Sequence, residues 1–567
     1  MNSRTVLNRL ADERFDLLVI GGGITGAGVA LDGASRGLRT ALVEKADFAS
    51  GTSSRSSKLV HGGLRYLRQG DLGLVLESLQ ERQRLLENAP HLVTPLPFLI
   101  PLFGSRWPYV AALWTYDLSG SRHLGRHRAI SRAEVLSWFP ALESTRLTGG
   151  YLYPDAWADD SRLTLAVVRT AVADFDVVAA NYLGADAYLY DHAGRVFGAK
   201  VRPAEHRDGA DTFDIRARVV VNATGVWADE ARTLDDGTRP PRLRPAKGVH
   251  VTVRAQRFPA EVAAVLPVRQ DRRSVFVIPW PESDRVYIGT TDTDYEGSLD
   301  QPLPDPDDVE YLLSAVNAVS ATRLHREDIT GIWAGLRPLL AGSPGKRARA
   351  RTADLSRRHR VEVSDNGVVT VTGGKLTTYR RMAEDTVDAV MDLLDCRPRP
   401  PCRTTHLRLM GADPRPWVRA DEEATPEPSS AITAQADVLA HLRRRYGEEA
   451  SAVLAVARER ADLLAPLVDG LGYLRAEAVY AARHEMARTV GDILYRRTQA
   501  AWQDLRSSAL AAQRTAELIA PELGWSPRQA AAEASRFVED CTALLTAAGL
   551  PGAEATGPQQ RLEAPGR

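Results

Sequence analysis

A glycine cluster near the start of the chain has the spacing of a nucleotide-phosphate site. The segment GGGITGAG at 21–28 contains G-x-G-x-x-G as Gly21, Gly23 and Gly26. Gly21 allows a tight turn after a strand, Gly23 lets the backbone approach a pyrophosphate, and Gly26 lets the next helix pack on the sheet. Free N–H groups and the positive end of the helix dipole would then face the phosphates.

The stretches around these glycines complete a nucleotide-binding unit. FDLLVI at 15–20 predicts a buried strand, a helical pattern runs to about residue 36, and RTALVE at 39–44 predicts the next strand. Glu44 closes that strand and can accept hydrogen bonds from both hydroxyls of a ribose, which disfavours a 2′-phosphate. This βαβ unit fits FAD and NAD equally well.

Longer motifs follow in a fixed order and resemble one family. SGTSSRSSKLVHGGLRYL at 50–67 is similar to the segment after the flavin-binding unit of the FAD-dependent, aerobic-type glycerol-3-phosphate dehydrogenases. The resemblance covers roughly residues 15–545 and implies FAD as cofactor. Its other motifs are PDAWADDSRL at 154–163, VNATGVWAD at 221–229, KGVH at 247–250, VFVIPW at 275–280, IGTTDTDY at 288–295, GLRPL at 335–339, LSRRH at 355–359, TGGKLTTYR at 372–380 and EMARTVGDILYRRT at 485–498.

The resemblance implies an α/β fold with three parts. A Rossmann-type FAD-binding domain is interleaved with a β-rich substrate-binding cap, as in glycine oxidase and D-amino-acid oxidase, and an all-helical C-terminal domain follows. Apolar strands at 219–224 and 367–374 are expected to return to the first, buried sheet. We expect an oxidoreductase domain at 1–400 (FAD-binding unit near 15–70, cap segments within about 90–165 and 240–345, return near 365–395), a linker at 401–432, a helical domain at 433–549 and a disordered tail at 550–567.

Polar and glycine residues in these motifs are expected to lie along the FAD. The Ser-rich loop after Glu44 offers hydroxyl and N–H groups to ring carbonyl and phosphate oxygens, although a Ser-rich turn held by local hydrogen bonds is the alternative. A glycine pair at 373–374 precedes a helix whose dipole would favour negative charge on the reduced ring. The predicted cofactor residues are Gly21, Gly23, Gly26, Glu44, Thr52, Ser53, Ser54, Ser57, Lys58, His61, Gly62, Ala223, Thr224, Gly225, Gly373, Gly374, Lys375 and Leu376.

The substrate implied by the resemblance, sn-glycerol 3-phosphate, is a dianion that needs fixed cations. Guanidinium groups make bidentate, charge-assisted bonds to phosphate. By resemblance, Arg357 contacts the phosphate, with the adjacent Arg358 an open alternative. A carboxylate beside a phosphate is repulsive, so Asp292 is expected to serve an arginine or a hydroxyl. The predicted substrate-binding residues are Arg65, Tyr66, Thr291, Asp292 and Arg357.

Oxidation at C2 to dihydroxyacetone phosphate needs a hydride acceptor, the flavin N5, and a base for the hydroxyl proton. His250 in KGVH is the predicted base, and a structural histidine on a strand is the alternative. His61 is a weaker rival that is expected to position the flavin loop. Arg337 is placed near the reacting carbon, and Lys375 near the reduced ring or the substrate, so the predicted catalytic residues are His250, Arg337 and Lys375.

The overall composition narrows the class of protein. Basic and acidic side chains number 72 each, which gives no sign of a nucleic-acid partner. A run of three arginines at 443–445 predicts a solvated helix face. The three cysteines form no disulfide framework, and no Cys/His spacing predicts a metal site. A reducing, cytoplasmic compartment is expected.

One segment suggests contact with a membrane surface. Residues 102–128 combine aromatic residues with basic flanks, which is typical of an interfacial segment, although a buried helix with a charged exit fits as well. The most apolar window, 92–103, is broken by prolines and is shorter than the ~20 residues of a spanning helix. We expect peripheral attachment on the inner face of the cell membrane and a quinone as electron acceptor; a homodimer is compatible with the sequence.

Rival functions use the same scaffold. An oxidase would pass the electrons to oxygen, and nothing in the sequence decides between oxygen and quinone. An amine or amino-acid oxidase would need a carboxylate clamp, whereas three arginines suit a dianion. A flavin-containing scaffold protein would not require Arg65, His250, Arg337 and Lys375 together. An NAD-linked enzyme is disfavoured because no second dinucleotide fingerprint is evident.

Overall fold

The computed structural model describes residues 3–63, 71–103, 113, 125–204, 212–236, 242–268, 273–281, 283–341, 358–412 and 430–552. Two sheets dominate the first two thirds of the chain. Their strands are β1 (Arg14–Ile20), β2 (Thr40–Val43), β3 (Leu59–Val60), β4 (Val93–Leu102), β5 (Arg128–Ile130), β6 (Gly149–Ala158), β7 (Val178–Ala180), β8 (Leu183–Tyr190), β9 (Val196–Pro203), β10 (Phe213–Asn222), β11 (Leu243–Arg254), β12 (Ala263–Pro267), β13 (Ser274–Pro279), β14 (Arg285–Gly289), β15 (Thr293–Asp294), β16 (Ile329–Leu340), β17 (Arg360–Val363) and β18 (Val369–Thr372).

Helices cover the first sheet and make up the last third of the chain. None of those described is both long enough and apolar enough to cross a membrane. They are α1 (Ser3–Asp12), α2 (Ile24–Ser35), α3 (Leu72–Asn88), α4 (Arg132–Trp138), α5 (Asp160–Phe175), α6 (Ala228–Asp236), α7 (Pro306–Asn317), α8 (Tyr379–Leu393), α9 (Ser430–Tyr446), α10 (Ala450–Glu459), α11 (Arg475–His484), α12 (Ala500–Gln503), α13 (Leu505–Leu510), α14 (Ala512–Leu523) and α15 (Pro527–Ala547).

The first sheet is the parallel sheet of a nucleotide-binding domain. Its order is β17-β18-β10-β1-β2-β7, and the strands from β18 to β7 run parallel. Leu17, Leu18 and Val19 of β1 are fully buried because helices cover one face and the β8–β9 hairpin with α1 covers the other. The prediction that segments 219–224 and 367–374 return to this sheet is confirmed, since they form the ends of β10 and β18.

The second sheet is the predicted β-rich cap. Its order is β15-β11-β14-β13-β12-β4-β6-β3, with β16 paired to β11 and β5 to β6. Nearly all its strands come from the two segments predicted for the cap, and β3 joins from the loop after the nucleotide-binding unit. The long antiparallel pair β11–β16 places Ala246 opposite Arg337 and His250 opposite Trp333. This pairing brings two predicted catalytic residues onto neighbouring strands.

The helices α9–α15 form the predicted helical C-terminal domain, which is fastened to the rest of the chain by buried charges. The guanidinium of Arg497 donates to both carboxylate oxygens of Asp47 at 2.7 and 2.9 Å. Arg162 of α5 donates to Glu485 at 2.8 Å. Burial raises the pKa of Asp47, but the two neighbouring arginines outweigh it and lower the pKa to about 2. Charges this deep are tolerated only as pairs.

The arginine run at 443–445 differs from the prediction of a solvated face. Arg443 is exposed, whereas the side chain of Arg445 is only 11% exposed. Its Nε donates to Glu477 at 3.2 Å, and Nη2 donates to the carbonyl of Arg497 at 2.7 Å. Helical geometry separates neighbouring residues by about 100°, so three consecutive arginines cannot share one face. The prediction was wrong for Arg445.

The first part of the predicted linker is packed against the cofactor domain. Leu409 and Met410 are buried, and the backbone N–H of Met410 donates to Thr170 of α5 at 2.9 Å. The Sγ of Cys402 lies 3.0 Å from Asp32 of α2. Residues 401–412 are therefore part of the folded body.

Removing one member of a buried ion pair should destabilise the fold. Arg162→Met removes the shortest ion pair of Glu485 and leaves it only Arg169 and Arg497 at 3.7 and 3.9 Å, and the side chains of Arg162 and Glu485 are at most 5% exposed. We expect the free energy of unfolding to fall by about 3–5 kcal/mol, measured by urea denaturation. The matched control is Arg397→Met, because Arg397 is 85% exposed and its ion pair is with an exposed aspartate. Equal shifts in the two variants would contradict a structural role for the buried pair.

Candidate active site

A cavity of about 510 Å³ lies where the parallel strands end. The segments that follow β1, β2, β10 and β18 line one edge of the sheet, which is where this fold class binds its ligands. The volume suits a cofactor site. Twelve of the predicted cofactor residues line it: Gly21, Gly23, Glu44, Thr52, Ser53, Ala223, Thr224, Gly225, Gly373, Gly374, Lys375 and Leu376.

Close backbone packing explains the glycines at the cavity floor. Gly21 has φ +110°, and a Cβ there would lie 2.6 Å from the carbonyl oxygen of Ala223. A Cβ on Gly26 would lie 1.9 Å from the carbonyl oxygen of Gly21. Only glycine fits both positions, and their packing brings the N-terminus of α2 to the cavity. Gly26 itself does not line the cavity, in keeping with its expected packing role.

Glu44 is held in place at the cavity edge by backbone donors. Its carboxylate accepts from the N–H of Gly22 at 2.6 Å and of Ala46 at 2.9 Å. Burial raises the pKa of Glu44, and these two hydrogen bonds oppose that rise. Each carboxylate oxygen keeps a lone pair for a ribose hydroxyl. Together with the helix N-terminus and the glycine floor, this donor and acceptor set fits FAD.

Lys45 and Trp227 are among the cavity residues that were not predicted from the sequence. The ammonium of Lys45 stands 4.2 Å above the ring of Trp227, and both residues line the cavity. An aromatic face and a cation at the Glu44 end suit an adenine ring. The signal was present, since Lys45 directly follows Glu44 and Trp227 lies inside the VNATGVWAD motif.

Five predicted cofactor residues lie away from the cavity. The ammonium of Lys58 is fully buried 2.7 Å from Asp160, which differs from the predicted placement along the flavin. Ser57 contacts His250, and Ser54 is buried without lining the cavity. Backbone N–H groups of the remaining two donate within the protein: His61 to Thr377 at 3.2 Å and Gly62 to Asp155 at 3.3 Å.

The predicted substrate side contains a clamped arginine. Nη1 of Arg337 lies 3.2 Å from Asp292, and Nη2 donates to Thr290 Oγ1 and to the carbonyl of Thr291, each at 3.1 Å. The Oγ1 of Thr291 accepts from the N–H of Val249 at 3.0 Å. Asp292 therefore serves an arginine, one of the two expected roles. The side chain of Arg337 is 18% exposed, so it is not sealed from a ligand.

His250 is packed between a ring and a glycine. Its imidazole stacks on Trp333 with 4.7 Å between centroids, and its Nε2 lies 2.8 Å from the Oγ of Ser57. A Cβ on Gly289 would come within 2.0 Å of the imidazole ring, so this position must be glycine. The sequence did not predict either neighbour.

The surroundings of His250 keep the imidazole neutral. Burial is the main cause that holds its pKa well below the usual range, and the positive charges of Arg337 and Lys58 add to it. A neutral imidazole has a free site for a proton, while the lowered pKa makes His250 a weaker base than a solvent-exposed histidine.

The remaining predicted residues have separate positions. Lys375 lines the cavity just before a helical turn at Leu376–Thr378, and its Nζ donates to Ser78 at 3.2 Å. Arg358, the alternative to its neighbour as phosphate ligand, is exposed and pairs with Asp71 at 2.7 Å. Three substrate residues lie outside the described part of the chain: Arg65, Tyr66 and Arg357.

Two family models match the chain in succession. One, described as FAD dependent oxidoreductase, matches residues 16–380. The other, described as C-terminal domain of alpha-glycerophosphate oxidase, matches residues 402–530. The boundary between the two matched regions lies between the part of the chain that forms the two sheets and the helical domain.

Curated relatives and solved structures agree with these models. Glycerol-3-phosphate dehydrogenase 2 of Mycobacterium tuberculosis is 43% identical over 552 residues, covering 96% of this chain and 90% of that protein. The mitochondrial glycerol-3-phosphate dehydrogenase of Mus musculus is 36% identical over 535 residues, covering 90% and 71%. The glycerol-3-phosphate dehydrogenase of Bacillus halodurans complexed with FAD has a TM-score of 0.76 at 32% identity, covering 95% and 97%. The chain therefore belongs to the family of FAD-dependent glycerol-3-phosphate dehydrogenases.

Proposed function

We propose that this protein oxidises sn-glycerol 3-phosphate to dihydroxyacetone phosphate, with FAD accepting the hydride. The observation that carries the proposal is the position of Arg337 and His250 beside the cofactor cavity. Pro338, next to Arg337, lines that cavity, and Thr52, which also lines it, donates to the carbonyl of Leu336 at 2.6 Å. We infer that the reacting carbon of the substrate would lie between the side chains of Arg337 and His250 and a flavin ring in the cavity.

The chemistry requires a hydride and a proton to leave the same alcohol. The residues that line the cavity would hold FAD, and the bound cofactor would supply the acceptor for the C2 hydride. His250 takes the proton of the C2 hydroxyl, since its imidazole is neutral and its ring is fixed. Arg337 stabilises the negative charge that develops on the C2 oxygen, and the clamp at 290–292 holds the guanidinium in place. Lys375 at the cavity wall supplies a further positive charge near the reduced ring.

The residues proposed to bind the substrate phosphate are those that the family resemblance implies. Arg65 with Tyr66 and Arg357 are proposed to bind it through charge-assisted hydrogen bonds. The names of the relatives support this substrate, because the proteins from Mycobacterium tuberculosis and Mus musculus are both called glycerol-3-phosphate dehydrogenases.

Quinone at a membrane surface is the proposed electron acceptor. The relatives are named dehydrogenases, and several are named mitochondrial. Peripheral attachment at the inner face of the cell membrane was predicted from the interfacial segment 102–128. Most of this segment lies outside the described residues, and the attachment therefore stays a prediction. A homodimer also stays a prediction. The oxidase alternative has a similar fold in its favour: the L-alpha-glycerophosphate oxidase of Mycoplasma pneumoniae aligns at a TM-score of 0.53 and 17% identity.

Removing the clamped guanidinium should stop the chemistry and spare the cofactor. In Arg337→Met we expect flavin reduction by sn-glycerol 3-phosphate to slow by about 10²–10³-fold, as for loss of one preorganised donor. FAD content should be unchanged, because Arg337 does not line the cofactor cavity. Stopped-flow absorbance measures the first quantity and the flavin spectrum after denaturation the second.

The matched control is Arg244→Met, on the strand paired with that of Arg337. Arg244 is partly exposed and pairs with Asp294 at the surface, so its loss should leave reduction unchanged. Loss of FAD in Arg337→Met, or equal rates in both variants, would contradict the assigned position.

The acceptor is tested by turnover in air. With sn-glycerol 3-phosphate, a soluble quinone analogue should be reduced in step with dihydroxyacetone phosphate formation, with little hydrogen peroxide. Peroxide formed in equal amount to the product without quinone would identify an oxidase instead.

A further inference from the structure

A buried carboxylate anchors the turn at 56–58. This turn follows the Ser-rich loop after Glu44, residues 45–55, which we call the cofactor loop. Asp160, the first residue of α5, is fully buried, and its Oδ1 accepts from the ammonium of Lys58 at 2.7 Å. Its Oδ2 accepts from the hydroxyl and N–H of Ser56 at 2.7 and 3.1 Å, and that hydroxyl accepts from the N–H of Lys58 at 2.9 Å. Lys58 has φ +55°, a left-handed conformation that non-glycine residues rarely adopt, so the turn depends on these contacts.

The C-terminal domain supplies part of this anchor. Gln499 is 1% exposed and follows a π-helical turn at Asp492–Arg497. Its Nε2 donates to Asp160 at 3.0 Å and to Asp159 at 2.7 Å. One side chain from the helical domain thereby fixes two carboxylates at the N-terminus of α5.

The anchored turn carries the hydrogen-bond partner of His250. Ser57 lies between the two anchored residues, and its carbonyl accepts from the hydroxyl of Tyr287 at 3.0 Å. Its Oγ then meets His250 Nε2 at 2.8 Å. The Nδ1 of His250 is buried and has no partner within the described ranges. The Trp333 stack fixes the plane of the imidazole, and Ser57 is the polar contact that fixes its rotation within that plane.

We propose that Ser57 and, through it, Asp160 and Gln499 are positioning residues for His250. The helical C-terminal domain thus helps to aim the base, from outside the cofactor cavity. This inference rests on the proposed role of His250. It differs from the expectation that Ser57 lies along the flavin, because Ser57 does not line the cofactor cavity.

The deciding variants are Ser57→Ala and Ser57→Thr. Loss of one directional hydrogen bond should slow flavin reduction about tenfold, with unchanged FAD content and unchanged dissociation constant for sn-glycerol 3-phosphate. Threonine keeps the hydroxyl and should restore the rate to within about threefold. The control is Thr164→Val, one turn beyond Asp160 on α5, whose hydroxyl donates to the backbone carbonyl of Asp160 at 2.9 Å and not to its carboxylate. Loss of FAD in Ser57→Ala, or no rescue by threonine, would overturn the proposal.

A double-mutant cycle with His250→Asn separates the two claims. If Ser57 acts through the imidazole, Ser57→Ala should add nothing to the slow rate of His250→Asn. Multiplying defects would overturn the positioning role and leave the base intact. An unchanged rate in His250→Asn alone would overturn the base itself, and the positioning role with it.

Gln499→Met tests whether the C-terminal domain helps to position His250. Flavin reduction should slow by at least about threefold when measured at a temperature where the variant is fully folded and its FAD content matches that of the parent protein. A rate of flavin reduction equal to that of the parent protein would show that the helical domain does not help to position His250.

Discussion

Buried carboxylates of the cofactor domain accept ion pairs or hydrogen bonds from side chains of the C-terminal helices, and the rest of the structure depends on these contacts. Asp47 binds Arg497, and Asp160 binds both Lys58 and Gln499. Because an unpaired buried charge costs several kcal/mol, the two domains cannot separate without a large loss of stability. Asp47 lies on the cofactor loop and Asp160 anchors the turn at its end, so the contacts that join the domains also set the shape of that loop.

The site is assembled from two sheets of different kinds. The parallel sheet contributes the glycine floor and Glu44, which are proposed to bind and orient the dinucleotide. The antiparallel sheet contributes His250 and Arg337, the proposed base and the proposed cation for the developing negative charge. The hydrogen bond from Thr52 to the carbonyl of Leu336 ties the cofactor loop to the strand that carries Arg337. A long β11–β16 pair suits this task, because residues fixed in a ladder are held more rigidly than residues on a loop.

Local patterns in the sequence predicted the glycine turn and the position of Glu44 at the cavity. The glycine motif and Glu44 depend on neighbours within about thirty residues of each other, so spacing alone reveals their geometry. The partner of His250 is 193 positions away, and that of Lys58 is 102 away. A periodic pattern cannot reveal pairs of residues so far apart in the sequence. The family resemblance therefore predicted Lys58 and Ser57 to lie along the flavin. Arg445 was misjudged for the same reason, since its carboxylate partner lies on another helix.

The most direct test of the whole account is anaerobic bleaching of the bound yellow flavin by sn-glycerol 3-phosphate, with glycerol and D-alanine as controls. The account predicts rapid bleaching by the phosphate ester alone, because the fixed cations select a dianion and the base beside the cofactor cavity accepts the hydroxyl proton. Bleaching by glycerol at a similar rate would contradict the role of the arginines. An unbleached flavin in a protein that carries FAD would contradict the assigned substrate.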